Sequence, residues 1–211
     1  MSDFNLLIDE LTATMVPVRP LSLRRGAALF AAVAAISVAA GGLILGLRPD
    51  IVQLRPDDTV LMSIGLFAVL GLACAGTVVR MARPGVGRAS DGWRWALAAM
   101  LVLPVVAAIE AILFPALRIG IGVEGSICLA RGLVAAVASA AAATWWLRRG
   151  APVRIETASW LVGLGAGSVG ALAVAISCPD DALAHIGLWH GAIIPVAGGL
   201  SRLVLPRFLR W

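Results

Sequence analysis

Residues Gly26–Leu47 read "GAALFAAVAAISVAAGGLILGL", with no charged side chain among them. About twenty apolar residues in a row, wound as a helix, match the ~30 Å hydrocarbon core of a bilayer. Five more such segments follow: Thr59–Val79, Trp95–Leu113, Ile127–Leu147, Thr157–Ile176 and Gly187–Leu205, none with more than one charge. Hydrocarbon offers no partner to a bare N–H or C=O, so runs of this length are predicted to be helices. A soluble chain of this size has no way to hide such a surface, since 60% of residues are hydrophobic and only 14% charged. The fold class is therefore an all-α membrane protein with six transmembrane helices over 26–211, preceded by an arm over 1–25. Connections between the segments are short and leave no room for a separate globular domain.

Arginine sets the orientation. All 17 basic residues are Arg, which makes charge a record of topology before it is a sign of nucleic-acid binding. With the N-terminus inside, Arg19, Arg24, Arg25, Arg80, Arg83, Arg88, Arg94, Arg148, Arg149, Arg154, Arg202, Arg207 and Arg210 fall on the cytoplasmic side. Arg48, Arg55 and Arg118 fall outside, and Arg131 lies in segment four near its outer end. Six crossings return the C-terminus to the cytoplasm, as expected of a bacterial inner-membrane protein. Segment one exceeds the ~7–15 residues of an export signal's apolar region, so it reads as an uncleaved helix.

This topology sets two cysteines on one side. Cys128 opens segment four at its outer end, and Cys178 follows segment five, whereas Cys74 sits mid-segment, where a small soft side chain packs. The outer compartment is oxidising, and thiols there pair or take up soft metals. A disulfide, a metal-binding pair and two unrelated thiols all fit the spacing. Arg131 shares a helical face with Cys128 and favours its thiolate. Glu110 is the only carboxylate within an apolar segment and stands at matching depth, so a Glu110–Arg131 ion pair is expected beneath Cys128.

Both histidines fall in "SCPDDALAHIGLWHG", Ser177–Gly191. His185 and His190 are five apart, about 140° round an α-helix, and do not make a face-sharing ligand pair. Two readings stand: with Cys128 and Cys178 they complete a Cys₂His₂ set for a thiophilic ion, or they sit beside Trp189 bonding headgroups and loop carbonyls. Asp180 and Asp181 read as the cap and first turn of a short helix.

The arm has its own pattern. Phe4, Leu7, Ile8, Leu11 and Met15 follow helical spacing, Asp9 and Glu10 lie on other faces, and Pro17 and Pro20 end the run. Membrane-surface helices carry Lys and Arg on their polar face. This one is acidic, which points to a basic groove on a protein partner.

An acidic amphipathic arm ending in "PVRPL", six spans and two outer cysteines fifty residues apart resemble one known family. With "LLIDELTATMVPVRPL" (Leu6–Leu21), "CPDD" at Cys178 and "LWHG" at Leu188–Gly191, the chain resembles the NrsF-type membrane anti-sigma factors. The resemblance implies that the arm holds an extracytoplasmic-function sigma factor away from RNA polymerase. It implies further that Cys128 and Cys178 sense a metal or redox stress and release it, with no catalysis and no direct contact with nucleic acid. Beside it stand a membrane thiol oxidoreductase and a small transporter. The first wants a second, closely spaced cysteine pair, and the second wants charges near the midplane.

Overall fold

The computed structural model describes residues 2–13, 21–83, 91–113 and 123–210, with no strand among them. A short helix, α1 (Ser2–Ala13), precedes the bundle, and α2 (Leu23–Leu45), α4 (Asp58–Met81), α7 (Val123–Arg148) and α8 (Ile155–Ala175) are single long helices. Two crossings are assembled from pieces. α5 (Gly92–Met100) runs into α6 (Val102–Leu113), and α9 (Leu183–His185) passes through a π-helical turn, Ile186–His190, into α10 (Gly191–Val204). Single turns α3 (Pro49–Val52) and α11 (Pro206–Leu209) complete the order. Among the described residues six helices are long and apolar enough to cross a membrane: Leu23–Leu45, Asp58–Met81, Gly92–Ile109, Glu124–Arg148, Ile155–Ala175 and Leu183–Val204.

Local chemistry explains where these helices start and break. Asp57 caps α4, its side chain accepting from the Thr59 N–H at 2.8 Å. The third crossing breaks at Leu101 because Pro104 cannot donate to the carbonyl four residues back, that of Met100, and its ring crowds that group. The sixth crossing begins at Leu183, well before the Gly187 expected from apolarity, because the polar His185 interrupts the hydrophobic run without ending the helix. Asp180 does not cap α9, whose N-cap residue is Ala182.

The core is organised round α8, which is buried along most of its length and packs against α4, α7 and α10. Small residues permit that closeness. A Cβ on Gly167 would lie 2.8 Å from the Ile194 Cα of α10, and one on Gly170 would land on the Gly132 carbonyl oxygen of α7. Interior hydroxyls turn back on their own helices: Ser168 donates to the Leu164 carbonyl and Ser159 to that of Ile155. Gly170→Ala should therefore force α7 and α8 apart. We expect a loss of about 1–3 kcal/mol, read as a lower midpoint of thermal unfolding in detergent.

α1 stands apart from this core. Every side chain from Phe4 to Ala13 is exposed, including Phe4 at 67% and Leu11 at 57%.

Candidate functional site

Four elements converge at the end of the bundle opposite the start of α2. The second turn of α7 supplies Cys128, the turn after α8 supplies Cys178, α9 ends in His185, and the π-helical turn ends in His190. All four side chains are buried, none more than 8% exposed. Their ligand atoms lie within 4.8 Å of one another. The sulfurs are not bonded to each other and lie 3.6 Å apart, and Cys178 Sγ is 3.5 Å from His185 Nε2. Four ligands at tetrahedral angles, with zinc–sulfur bonds of ~2.3 Å and zinc–nitrogen bonds of ~2.05 Å, require S···S near ~3.8 Å and S···N near ~3.6 Å. Both observed separations are within a few tenths of an ångström of that demand. Among the described residues neither ring nitrogen of His190 has a hydrogen-bond partner although both are buried, and such a group calls for an explanation. A metal ion beside it would supply one.

The π-helical turn corrects the spacing argument against the histidines. In α-helical register the two rings would diverge by about 140°. The i→i+5 register gives each turn more residues, so positions 185 and 190 share a face, their ring centroids 5.2 Å apart in a T-shaped arrangement. Neighbouring glycines hold the turn in place. A Cβ on Gly187 would lie 2.9 Å from the Leu103 carbonyl oxygen of α6, and one on Gly125 of α7 would strike the Trp189 indole.

Around the four donors is a shell of supporting contacts. Asp180 Oδ2 faces His185 Nδ1 at 3.2 Å, which turns Nε2 toward Cys178; its other oxygen accepts from the Ala182 N–H at 2.9 Å. A carboxylate behind a ligating histidine fixes the ring and raises its basicity. Arg48, 5% exposed, donates through Nη1 to the Cys178 carbonyl at 3.0 Å, and its own N–H donates to the Ile176 carbonyl at 3.1 Å. Its Nε pairs with Asp50 Oδ1 at 2.6 Å, and that bond holds the Asp50 carboxyl below the usual range. Arg48 thereby ties the end of α2 to the loop that carries Cys178.

Burial alone would raise the Cys178 thiol, but the hydrogen bond with His185 and the proximity of the His190 ring more than offset it, bringing Cys178 down to about 5. That direction favours the thiolate, the form that binds metal.

The other residues singled out in the sequence are distributed as follows. Cys74 is buried in α4 among apolar neighbours. Arg131 lies one turn beyond Cys128 with its side chain exposed. Glu110 belongs to α6, but its side chain lies outside the described residues, as does any contact with Arg131. Phe4, Leu7, Ile8, Asp9, Glu10 and Leu11 are exposed on α1, and Met15 lies outside the described residues. No motif in the sequence marks Asp180 as a support for His185 or Arg48 as a clasp. Arg48 did leave a trace, as a cation on the side that arginine otherwise avoids.

A family model described as NrsF, negative regulator of sigma F, matches residues 11–211. No curated protein and no solved structure gives a significant match.

Proposed function

The chain belongs to the NrsF family of negative regulators of sigma F, and from that premise we propose a two-ended membrane switch. The arm holds an extracytoplasmic-function sigma factor at the cytoplasmic face. Metal capture by the cluster at the periplasmic face lets it go. The orientation is the one arginine favours, N- and C-termini inside the bacterial inner membrane.

The observation that carries this reading is the four-donor cluster. Cys128 Sγ, Cys178 Sγ, His185 Nε2 and one nitrogen of His190 would hold the ion, in the mixed sulfur–nitrogen set that suits zinc or its softer relatives. A redox pair needs only the two sulfurs. It gives no account of two buried histidines aimed at them, one without a hydrogen-bond partner among the described residues.

The magnitudes allow a switch. Moving a population from 99:1 to 1:99 takes about 5.5 kcal/mol of differential binding. Structural zinc sites of this composition supply about 10–16 kcal/mol. Drawing the donors onto one centre shifts the Cys178 loop, and Arg48 carries that shift to α2, which leads back to the arm.

The test is induction of the sigma factor's own target promoter in cells carrying Cys128→Ser with Cys178→Ser. We expect no response to added zinc or cadmium, against full response in the parent. Induction that persists in the double variant would overturn the sensing half. Induction by a thiol oxidant but by neither metal would replace the metal reading with a disulfide one. In the purified protein, Asp180→Ala should weaken cadmium binding about 10–100-fold, followed by the thiolate-to-metal absorption band.

A further inference from the structure

A second candidate site lies in the other half of the bundle. Between α2 and the inner helices α4, α7 and α8 is a half-enclosed cavity of about 520 Å³, within the ~300–1,000 Å³ of small-molecule pockets. Its walls are Ala, Gly, Val, Leu and Phe, and among the described residues the only polar side chains lining it are those of Ser139 and Arg80. We propose that this cavity binds a phospholipid, with one acyl chain between α2 and α4 and the phosphate on Arg80. This inference is independent of the metal reading.

Three observations support it. The cavity is bounded by four membrane-crossing helices, so what fills it has to be apolar over most of its length. Left empty, its lining would forfeit dispersion contacts on one side. Arg80 stands at the end of α4 nearest the start of α2. Among the described residues no carboxylate or carbonyl holds its guanidinium, although neighbouring Arg83 bonds the Leu21 carbonyl at 2.8 Å. An apolar slot with an unpaired cation at its mouth complements an amphiphile with an anionic head. The wall is also recessed by sequence: a Cβ at Gly76 would meet nothing within 4 Å. A lipid there would sit beneath α2, the helix that joins the arm to the cysteine end.

The full chain, extracted in mild detergent and delipidated, should retain one phospholipid per copy by native mass spectrometry. Gly76→Leu, which puts bulk into the cavity without a backbone clash, should lower retention at least tenfold. Ala142→Leu, on the α7 wall, should do the same. Gly65→Leu is the control, since its Cβ also meets open space but Gly65 does not line the cavity. Arg80→Gln should keep the acyl chain but lose several-fold preference for phosphatidylglycerol over phosphatidylcholine on add-back. Unchanged thermal unfolding would show that each variant still folds. A parent chain that retains no phospholipid, or equal retention in Gly76→Leu and Gly65→Leu, would overturn the proposal. So would a lipid-free dimer broken by Gly76→Leu, which would assign the cavity to a second copy.

Discussion

Cys178→Ser is expected to abolish metal uptake by the purified chain, and with it the response of the sigma factor's promoter. Among the four donors Cys178 has two close partners, 3.6 Å from the Cys128 sulfur and 3.5 Å from His185 Nε2. Its thiol is also the one brought down, to about 5, by the His185 contact, which favours the thiolate that binds metal. A serine hydroxyl at this position is neither ionised nor soft. Losing a supporting carboxylate costs a metal site about 10–100-fold; losing this ligand should exceed the upper end of that range. The readout is cadmium affinity in detergent, with Cys74→Ser as the comparison. Cys74 is buried in α4, outside the donor cluster, and its replacement should leave affinity unchanged. Retention of parental affinity by Cys178→Ser would remove the cluster from the mechanism.

What the sequence reveals here divides along a physical line. Long apolar runs dictate helices because the bilayer leaves the backbone no alternative, so all six crossings were legible. Cys128 and Cys178 were legible as a same-side pair, because topology alone places the ends of helices. The histidines were not, because the α-helical period sets positions five apart about 140° from each other. Nothing in "HIGLWH" announces the π-helical register that brings both rings to one face. Arg48 illustrates the opposite case. The positive-inside bias marks it as an exception, but the reason is tertiary: it is buried against the Ile176 and Cys178 carbonyls, far along the chain. Asp180 looked like a helix cap because Asp is common there. The structure puts its carboxylate between the Ala182 N–H and His185, a position set by the cluster as much as by the helix.

The largest effect is expected at the other end. Leu7→Asp with Leu11→Asp in the full chain should abolish capture of the sigma factor and leave its target promoter on without any metal. On α1, Phe4, Leu7, Ile8 and Leu11 fall at i, i+3, i+4 and i+7, a single stripe, and all four are exposed. A twelve-residue helix is marginal alone in water. On the proposed reading this stripe meets a partner surface, and the acidic flank of Asp9 and Glu10 favours a basic groove over an anionic membrane. Central apolar anchors in such grooves are each worth about 2 kcal/mol or more when removed, roughly 30-fold. Two aspartates in place of two anchors should then weaken binding about 1,000-fold, below what copurification detects. Asp9→Lys should act differently, slowing association and reducing its dependence on salt while leaving dissociation nearly unchanged. Asn5→Ala, off the stripe, should shift affinity by less than about twofold, since substitutions outside anchors are near neutral. A double-aspartate chain that still retains the sigma factor would move the binding surface off the arm and onto the cytoplasmic loops.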